Sequence, residues 1–248
     1  MPLPTSMKSA SKREVLRQVP MFRTLTQAEL DALSAGAVTQ SHPRGTTILR
    51  KGDPATGMII VLHGRVRIVL MSEEGKEVTL RVLGPGEVLG EIALLDGEER
   101  SADVMALEDC VLLYLERAHF LSLLHGNSDL CLRLMKTLCQ RLRRASLSLE
   151  EAILLDLPTR LGRQLLRMAD EYGVPGPNGG TRIGVRLSQS EIAALVGGSR
   201  EKVNRQLRAW ESEGVLANEG GYLVLLRPGQ LGRAASHKDR SVAPSPYG

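Results

Sequence analysis

Between about Val38 and Glu116 the apolar residues come in short runs, interrupted at close intervals by HPRGT, KGDPATG, LHGR, SEEGKE, LGPGE and DGEE. Short runs rich in β-formers between Gly, Pro and Asp turn signals predict strands. In GRVRIVLM, Val66, Ile68 and Leu70 alternate with Arg65, Arg67 and Val69, the period of two of a strand with one buried face. This zone predicts a small all-β sandwich or barrel. Just ahead of it, TQAELDALSAG predicts a short helix with Thr26 as N-cap and Gly36 past its end.

The pattern changes at Ser128. From there to Leu155 there is no Gly or Pro, and Cys131, Met135, Leu138, Leu142, Ala145, Leu149 and Ala152 recur at alternating steps of four and three. A helix of about 28 residues is roughly 42 Å long, more than one small domain covers. Such a seam meets a partner helix, and a second copy of the chain is the expected partner.

A third zone begins at LDLPTRL, where Pro158 either breaks the long helix or sits in the first turn of the next. A helix from Thr159 to Tyr172, the turn-rich YGVPGPNGG and a short strand RIGVRL precede SQSEIAALVGGSREKVNRQLRAWESEGVL. Ser188 and Glu191 form a capping box, and Ile192, Leu195 and Val196 make an apolar helix face. Gly197 and Gly198 supply a tight turn, Ser199 caps again, and Val203, Leu207 and Trp210 recur at helical spacing. Two short helices about a Gly turn describe a helix-turn-helix, and GVLANEGGYLVLL adds a hairpin wing.

Composition sharpens this picture only in places. The 248 residues are 42% apolar and 24% charged, a soluble globular composition. No run approaches eighteen apolar residues and MPLPTSMKSASKREV lacks the apolar core of a signal peptide, so the expectation is a cytoplasmic protein away from membranes. Three cysteines without a CxxC argue against a disulfide framework and a structural metal site. Charge is uneven: residues 1–156 carry 19 Lys or Arg against 20 Asp or Glu, whereas 157–248 carry 13 against 8. A basic C-terminal third suits a nucleic-acid partner.

Two stretches carry candidate chemistry. In GEIALLDGEERSADV, Glu91 and Arg100 flank an apolar run. Arg100 can hold a phosphate bidentately, backbone N–H groups after Gly90 can line its other side, and Glu91 can accept from a sugar hydroxyl. Together they fit a ribose phosphate; a structural ion pair between the two is the alternative. Gly84, Gly86 and Gly90 are spaced GxGxxxG among strands, which argues against a dinucleotide fold. In the second helix of the helix-turn-helix, Arg200 and Arg205 can donate to guanine O6 and N7 and Glu201 can accept from cytosine N4. Lys202 and Arg208 suit phosphates, which add affinity without sequence information.

PGEVLGEIALLDGEERSADV resembles the phosphate-binding cassette of cyclic-nucleotide-binding domains, and LSQSEIAALVGGSREKVNRQLRAWESEGVL resembles the helix-turn-helix of the Crp/Fnr family of bacterial transcription regulators. The resemblance covers about Leu25 to Leu226. It implies an α+β chain: an N-terminal arm and short helix (1–20), a β jelly-roll that binds a cyclic nucleotide (21–125), a dimerisation helix (126–156), a winged helix-turn-helix (157–228) and a disordered tail (229–248). Carried over, Glu91 takes the ribose 2′-hydroxyl, Arg100 the cyclic phosphate, and Ser101 a phosphate oxygen or the base. The backbone of Gly90, Ile92 and Ala93 completes the cradle, with Leu80, Arg81, Ala102 and Arg141 around it. Arg200, Glu201 and Arg205 match the family's Arg-Glu-x-x-x-Arg readout of a TGTGA-like half-site, with Ser188, Gln189 and Ser199 beside it.

The sequence also departs from the family. The Thr-Ser pair with which cyclic AMP receptors contact adenine is Ala145 and Ser146 here, after Arg143 and Arg144. The implied effector is therefore a cyclic purine mononucleotide, cAMP or cGMP, with no covalent cofactor. The implied partners are a palindromic DNA operator, a second copy of the chain and RNA polymerase. The alternative is a regulator on the same scaffold that senses a haem-bound gas, redox state or another effector. A cluster is excluded by the lack of cysteine before Gly45, and haem would fall to His42 or His63. No nucleophile with a neighbouring His and acid stands out, so no enzyme is expected.

Overall fold

A computed structural model describes residues 9–176 and 179–233. Its contacts divide the chain into two compact units, with the break between Arg144 and Ala145.

The first unit opens with α1 (Ser9–Gln18), a 3-10 turn (Pro20–Phe22) and α2 (Gln27–Ala35). Eight strands follow: β1 (Ala37–His42), β2 (Thr47–Leu49), β3 (Gly57–His63), β4 (Val66–Met71), β5 (Glu77–Leu83), β6 (Val88–Leu89), β7 (Asp103–Ala106) and β8 (Cys110–Glu116). A short α3 (Glu91–Asp96) sits between β6 and β7, and α4 (Arg117–Gly126) and α5 (Ser128–Leu154) follow β8. The strands form two four-stranded sheets, ordered β1-β8-β3-β6 and β2-β7-β4-β5. This is the small two-sheet β sandwich that the strand spacing predicts, and the β-roll that the family resemblance implies.

Strand β3, GMIIVLH, shows why its run is continuous rather than alternating. Ile59 and Val61 enter the core between the sheets, where Val66, Leu83, Leu89, Val104 and Leu112 meet them. Met58 and Ile60 point the other way, into a second core with Leu16, Phe22, Leu30, Phe120 and Leu130. A strand covered on both faces needs apolar residues at every position. Phe22 and Phe120 close the helical core edge to face, with ring centroids 6.3 Å apart.

The second unit contains α6 (Leu157–Tyr172), β9 (Gly173–Pro175), β10 (Thr181–Ile183), α7 (Gln189–Leu195), α8 (Arg200–Ser212), β11 (Leu216–Glu219), β12 (Tyr222–Leu225) and α9 (Pro228–Arg233). Asp156 caps α6 by accepting from Thr159 N–H at 3.0 Å, which places Pro158 in its first turn. The expected wing is the β11-β12 hairpin, in a sheet ordered β11-β12-β10-β9. Gly220 and Gly221 both have positive φ, as its two-residue turn requires.

Several boundaries differ from the sequence-based expectation. The segment set apart as residues 1–20 is no separate arm where it is described: Leu16 and Val19 are buried in the helical core. The tail expected from 229 begins later. Pro228–Arg233 is helical, Leu231 is fully buried, and Gly162 of α6 leaves room for it, since a Cβ there would lie 2.8 Å from Leu231 O. The rest of that tail, 234–248, and residues 1–8 lie outside the described residues. Strand β9 forms within a stretch that reads as turns, paired with β10.

The seam on α5 also moves. Cys131 and Leu138 are only partly exposed; Leu138 packs on the helical core and Cys131 Sγ donates to Leu124 O. They lie on the side of Leu130 and Leu134, which face the molecule's own β-roll. The large apolar side chains left exposed on this helix are Leu132, Met135, Leu142, Leu147, Leu149, Ile153 and Leu154, between 51% and 71%. With Cys139 and Ser146, Leu132, Met135, Leu142, Leu149 and Ile153 follow steps of three and four, a stripe that shares Met135, Leu142 and Leu149 with the expected one; Leu147 and Leu154 lie beside it. Periodicity alone allows either stripe; of the expected one, Leu138 packs on the core and Cys131 is half-buried, while Met135, Leu142, Ala145, Leu149 and Ala152 stay exposed.

Candidate functional site

The cassette begins at Gly90, where β6 turns into α3 with φ +82°. Glycine is required here twice over: the left-handed backbone strains an L side chain, and a Cβ would lie 2.5 Å from Arg100 Nη1. Arg100 is itself fixed from the loop after β2. Its N–H donates to Asp53 O, and its O accepts from Gly52 N–H, both at 2.9 Å.

The Arg100 side chain is 6% exposed. Its Nη1 donates to Gly90 O at 2.9 Å and its Nη2 to Gly57 O at 2.6 Å, while Nε is buried without a hydrogen-bond partner. Burial pulls its pKa below the ordinary arginine value, and the charges of Glu91 and Asp53 act against that pull. Glu91 is 1% exposed and accepts from Arg141 Nη1; Arg141 Nη2 also donates to Val88 O. Arg141 belongs to α5, eleven residues after Leu130 and seven after Leu134, so the face of the helix that enters the core carries it to Glu91.

Glu91, Arg100 and Arg141 are thus brought together with the backbone of Gly90, Ile92 and Ala93. A buried carboxylate and two guanidiniums within one cassette are costly to desolvate without mutual compensation. Arg100 bonds neutral carbonyls, so an anion would offer it a stronger, charge-assisted acceptor.

The other predicted residues divide. Ile92 and Leu80 expose their side chains, Ser101 is exposed and Ala102 half-buried. Arg81 pairs with Glu87, which also accepts from Gly84 N–H at 2.8 Å; its charge is engaged within the β5-β6 turn. Ala145 and Ser146 fall on the far side of the division between units. Asp53 and the carbonyls of Gly57 and Val88 were not legible: KGDPATG reads only as a turn, and a carbonyl has no signature in sequence. The partnership of Glu91 is with Arg141, a pairing fifty residues long that spacing does not reveal.

In the second unit, Ser188 caps α7 with the full capping box, and Ser199 caps α8 by accepting from Lys202 N–H. Val203, Leu207 and Trp210 bury one face of α8. Glu201, Arg205 and Arg208, at steps of four and three, lie opposite that face and are exposed, as are Arg200 and Lys202. Gln189 is half-buried and donates to Asn204 Oδ1 at 2.9 Å, a partner that the sequence did not suggest.

The segment 155–158, where the long helix gives way to α6, is braced within this unit. Arg160 donates to Leu155 O at 2.9 Å and to Val196 O, at the helix-turn-helix turn, at 3.2 Å. Glu151 accepts two hydrogen bonds from Arg167 and one from Arg163. Burial raises the Glu151 pKa, but these arginines outweigh it and hold the carboxyl below its ordinary value.

Among the described residues no group of His, Cys, Asp and Glu is placed to hold a metal ion, and no helix is long and apolar enough to cross a membrane.

Residues 39–127 match the family model of the cyclic nucleotide-binding domain, and 159–234 that of the Crp-like helix-turn-helix domain. The CRP-like cAMP-activated global transcriptional regulator of Mycobacterium tuberculosis is 29% identical over 90% of this chain and 99% of its own length. The cyclic AMP receptor protein of Thermus thermophilus is 36% identical over 79% of this chain and 88% of its own. Among solved structures, the c-di-GMP responsive global regulator CLP of Xanthomonas campestris covers 81% of this chain and 99% of its own with a TM-score of 0.71 and 26% identity.

Proposed function

The chain belongs to the Crp/Fnr family of cyclic-nucleotide-binding, DNA-binding transcription regulators, and from that premise we propose that it is a cytoplasmic homodimer whose DNA affinity rises when cAMP or cGMP binds the β-roll. Its relatives are regulators rather than enzymes; such Crp-like regulators bind DNA and act as dimers. One observation carries the effector reading: a buried Arg100 held only by neutral carbonyls, with its Nε unpartnered, beside a buried Glu91.

In this reading Arg100 takes the cyclic phosphate with the first-turn N–H groups of α3, which have no carbonyl within their own helix. Glu91 takes the ribose 2′-hydroxyl. Because Glu91 is held by Arg141, ligand at the ribose bears directly on α5, and the exposed Leu142, Leu149 and Ile153 of α5 form the dimer seam. The ligand then favours the dimer arrangement that binds DNA by differing in affinity for the two states. Arg200, Glu201 and Arg205 read bases of an inverted repeat, and Lys202 and Arg208 hold phosphates. RNA polymerase is the partner at the promoter.

Calorimetry with cAMP, cGMP and a cyclic dinucleotide, repeated on Arg100→Ala, tests the effector. Binding of a cyclic mononucleotide that is lost in the variant is the expected result, and equal DNA affinity with and without every nucleotide would sink the reading. A haem sensor finds less support. His42 Nε2 is hydrogen-bonded to Tyr114 Oη at 2.9 Å, and a haem iron would have to displace that partner; an absorbance spectrum checks it.

A further inference from the structure

The helix-turn-helix contains one polar contact that its caps and its expected base readers leave unused. Gln189, first residue of α7, donates from Nε2 to Oδ1 of Asn204 on α8. The two line a groove of about 90 Å³ at the junction of α7, α8 and the wing, with Arg208 and Asn218 among its walls. Asn204 lies four residues after Arg200 and four before Arg208, so the three share one ridge of α8. Arg205 and Glu201 stand on the adjacent, more exposed ridge.

A primary amide has two donors and an acceptor oxygen with two lone pairs. The Gln189 bond uses one lone pair of Asn204 and leaves its Nδ2 hydrogens and its second lone pair uncommitted by that contact. A side-chain amide with donor and acceptor on one edge matches adenine N7 and N6 in the major groove. Asparagine is also a poor choice for a helix interior on propensity alone. Holding the amide from α7 fixes its rotamer before DNA arrives, which lowers the ordering cost of binding.

We propose that Asn204 reads an A·T pair beside the bases taken by Arg200, Glu201 and Arg205, with Gln189 as the positioning residue that orients its amide. This rests on the reading of α8 as the helix that enters the major groove. The test is selection from a pool of random duplexes by the full chain, in cAMP, in cGMP and in neither, followed by base counts at each position. Wild type should favour adenine at one position next to the G·C contacts. Asn204→Ala should lose about tenfold of that preference and keep the others, and Gln189→Ala should weaken the same position.

Asn204→Asp keeps the acceptor for Gln189 but loses the donors, so its preference there should move from adenine toward cytosine, whose N4 donates. A purely structural Asn204 would not move the base preference in that way. If Arg200→Ala changes the selected sequence while Asn204→Ala and Asn204→Asp retain the wild-type profile, this proposal alone is overturned. If wild type shows no base preference, or Arg200→Ala leaves it intact, the major-groove reading fails and the proposal falls with it.

Discussion

The two arginine-glutamate constellations use the same side chains in opposite environments. Around Gly90, Glu91 and Arg100 are almost wholly buried, Glu91 bonded by Arg141 and Arg100 by the carbonyls of Gly90 and Gly57. Along α8, Arg200, Glu201 and Arg205 are exposed and the fold asks nothing of them beyond the Ser199 cap. Buried charge is therefore tied to stability as well as to ligand, whereas exposed charge is free to answer to DNA alone. A substitution in the first should therefore lower stability as well as ligand binding; one in the second should leave stability unchanged.

The largest expected effect follows from that contrast. Arg141→Ala leaves Glu91 buried without the guanidinium that bonds it, and breaking a buried pair costs about 3–5 kcal/mol. Urea unfolding should show that loss, while Arg200→Ala stays within about 0.5 kcal/mol of wild type, as exposed positions do. Equal midpoints for Arg141→Ala and wild type would break the comparison.

Next in size, Arg200→Ala or Arg205→Ala should cost about 1–3 kcal/mol of affinity for a selected site and relax one base position. Lys202→Ala should instead weaken all sequences alike and lower the salt slope by about one. Fluorescence anisotropy against salt concentration separates the two behaviours. Smaller again, Ser188→Ala removes the capping box of α7 and should destabilise the second unit by about 1 kcal/mol, measured as a shift in its thermal transition.

The smallest effect depends on pH. The Glu151 carboxyl titrates below its ordinary value because of Arg167 and Arg163. Its contribution is complete above the unfolded value and is lost as pH falls through the lower folded one. Glu151→Gln should melt below wild type at neutral pH, and the gap should close as pH falls through and below the ordinary carboxylate range. A gap that persists in acid would mean that the glutamine fails to pack, not that the ion pairs brace the 155–158 segment.

How much was legible differs between the same two regions. The helix-turn-helix was readable almost residue by residue, because its caps, turn glycines and apolar spacing are local: Ser188, Glu191 and Ser199 act within three or four residues of themselves. The cassette was readable as a list but not as a network. Glu91 and Arg100 were singled out together, yet Glu91 bonds a helix fifty residues away and Arg100 bonds backbone oxygens. The α5 seam was legible in part: Met135, Leu142, Ala145, Leu149 and Ala152 are exposed as the spacing predicts, whereas Leu138 packs on the helical core, a contact that spacing does not reveal.

By itself, then, the sequence determined the strands, the helix boundaries set by caps, the winged helix-turn-helix and the residues that carry charge in each site. These follow from backbone preferences and side-chain periodicity, which act over a few neighbours. The tertiary structure decided which guanidinium neutralises Glu91, which stripe of α5 is left for a partner, how Asn204 is held by Gln189, and that α9 docks beside Gly162. Each of those is a contest between distant groups for the same space or the same hydrogen bond, and such a contest has an outcome only when the chain has folded.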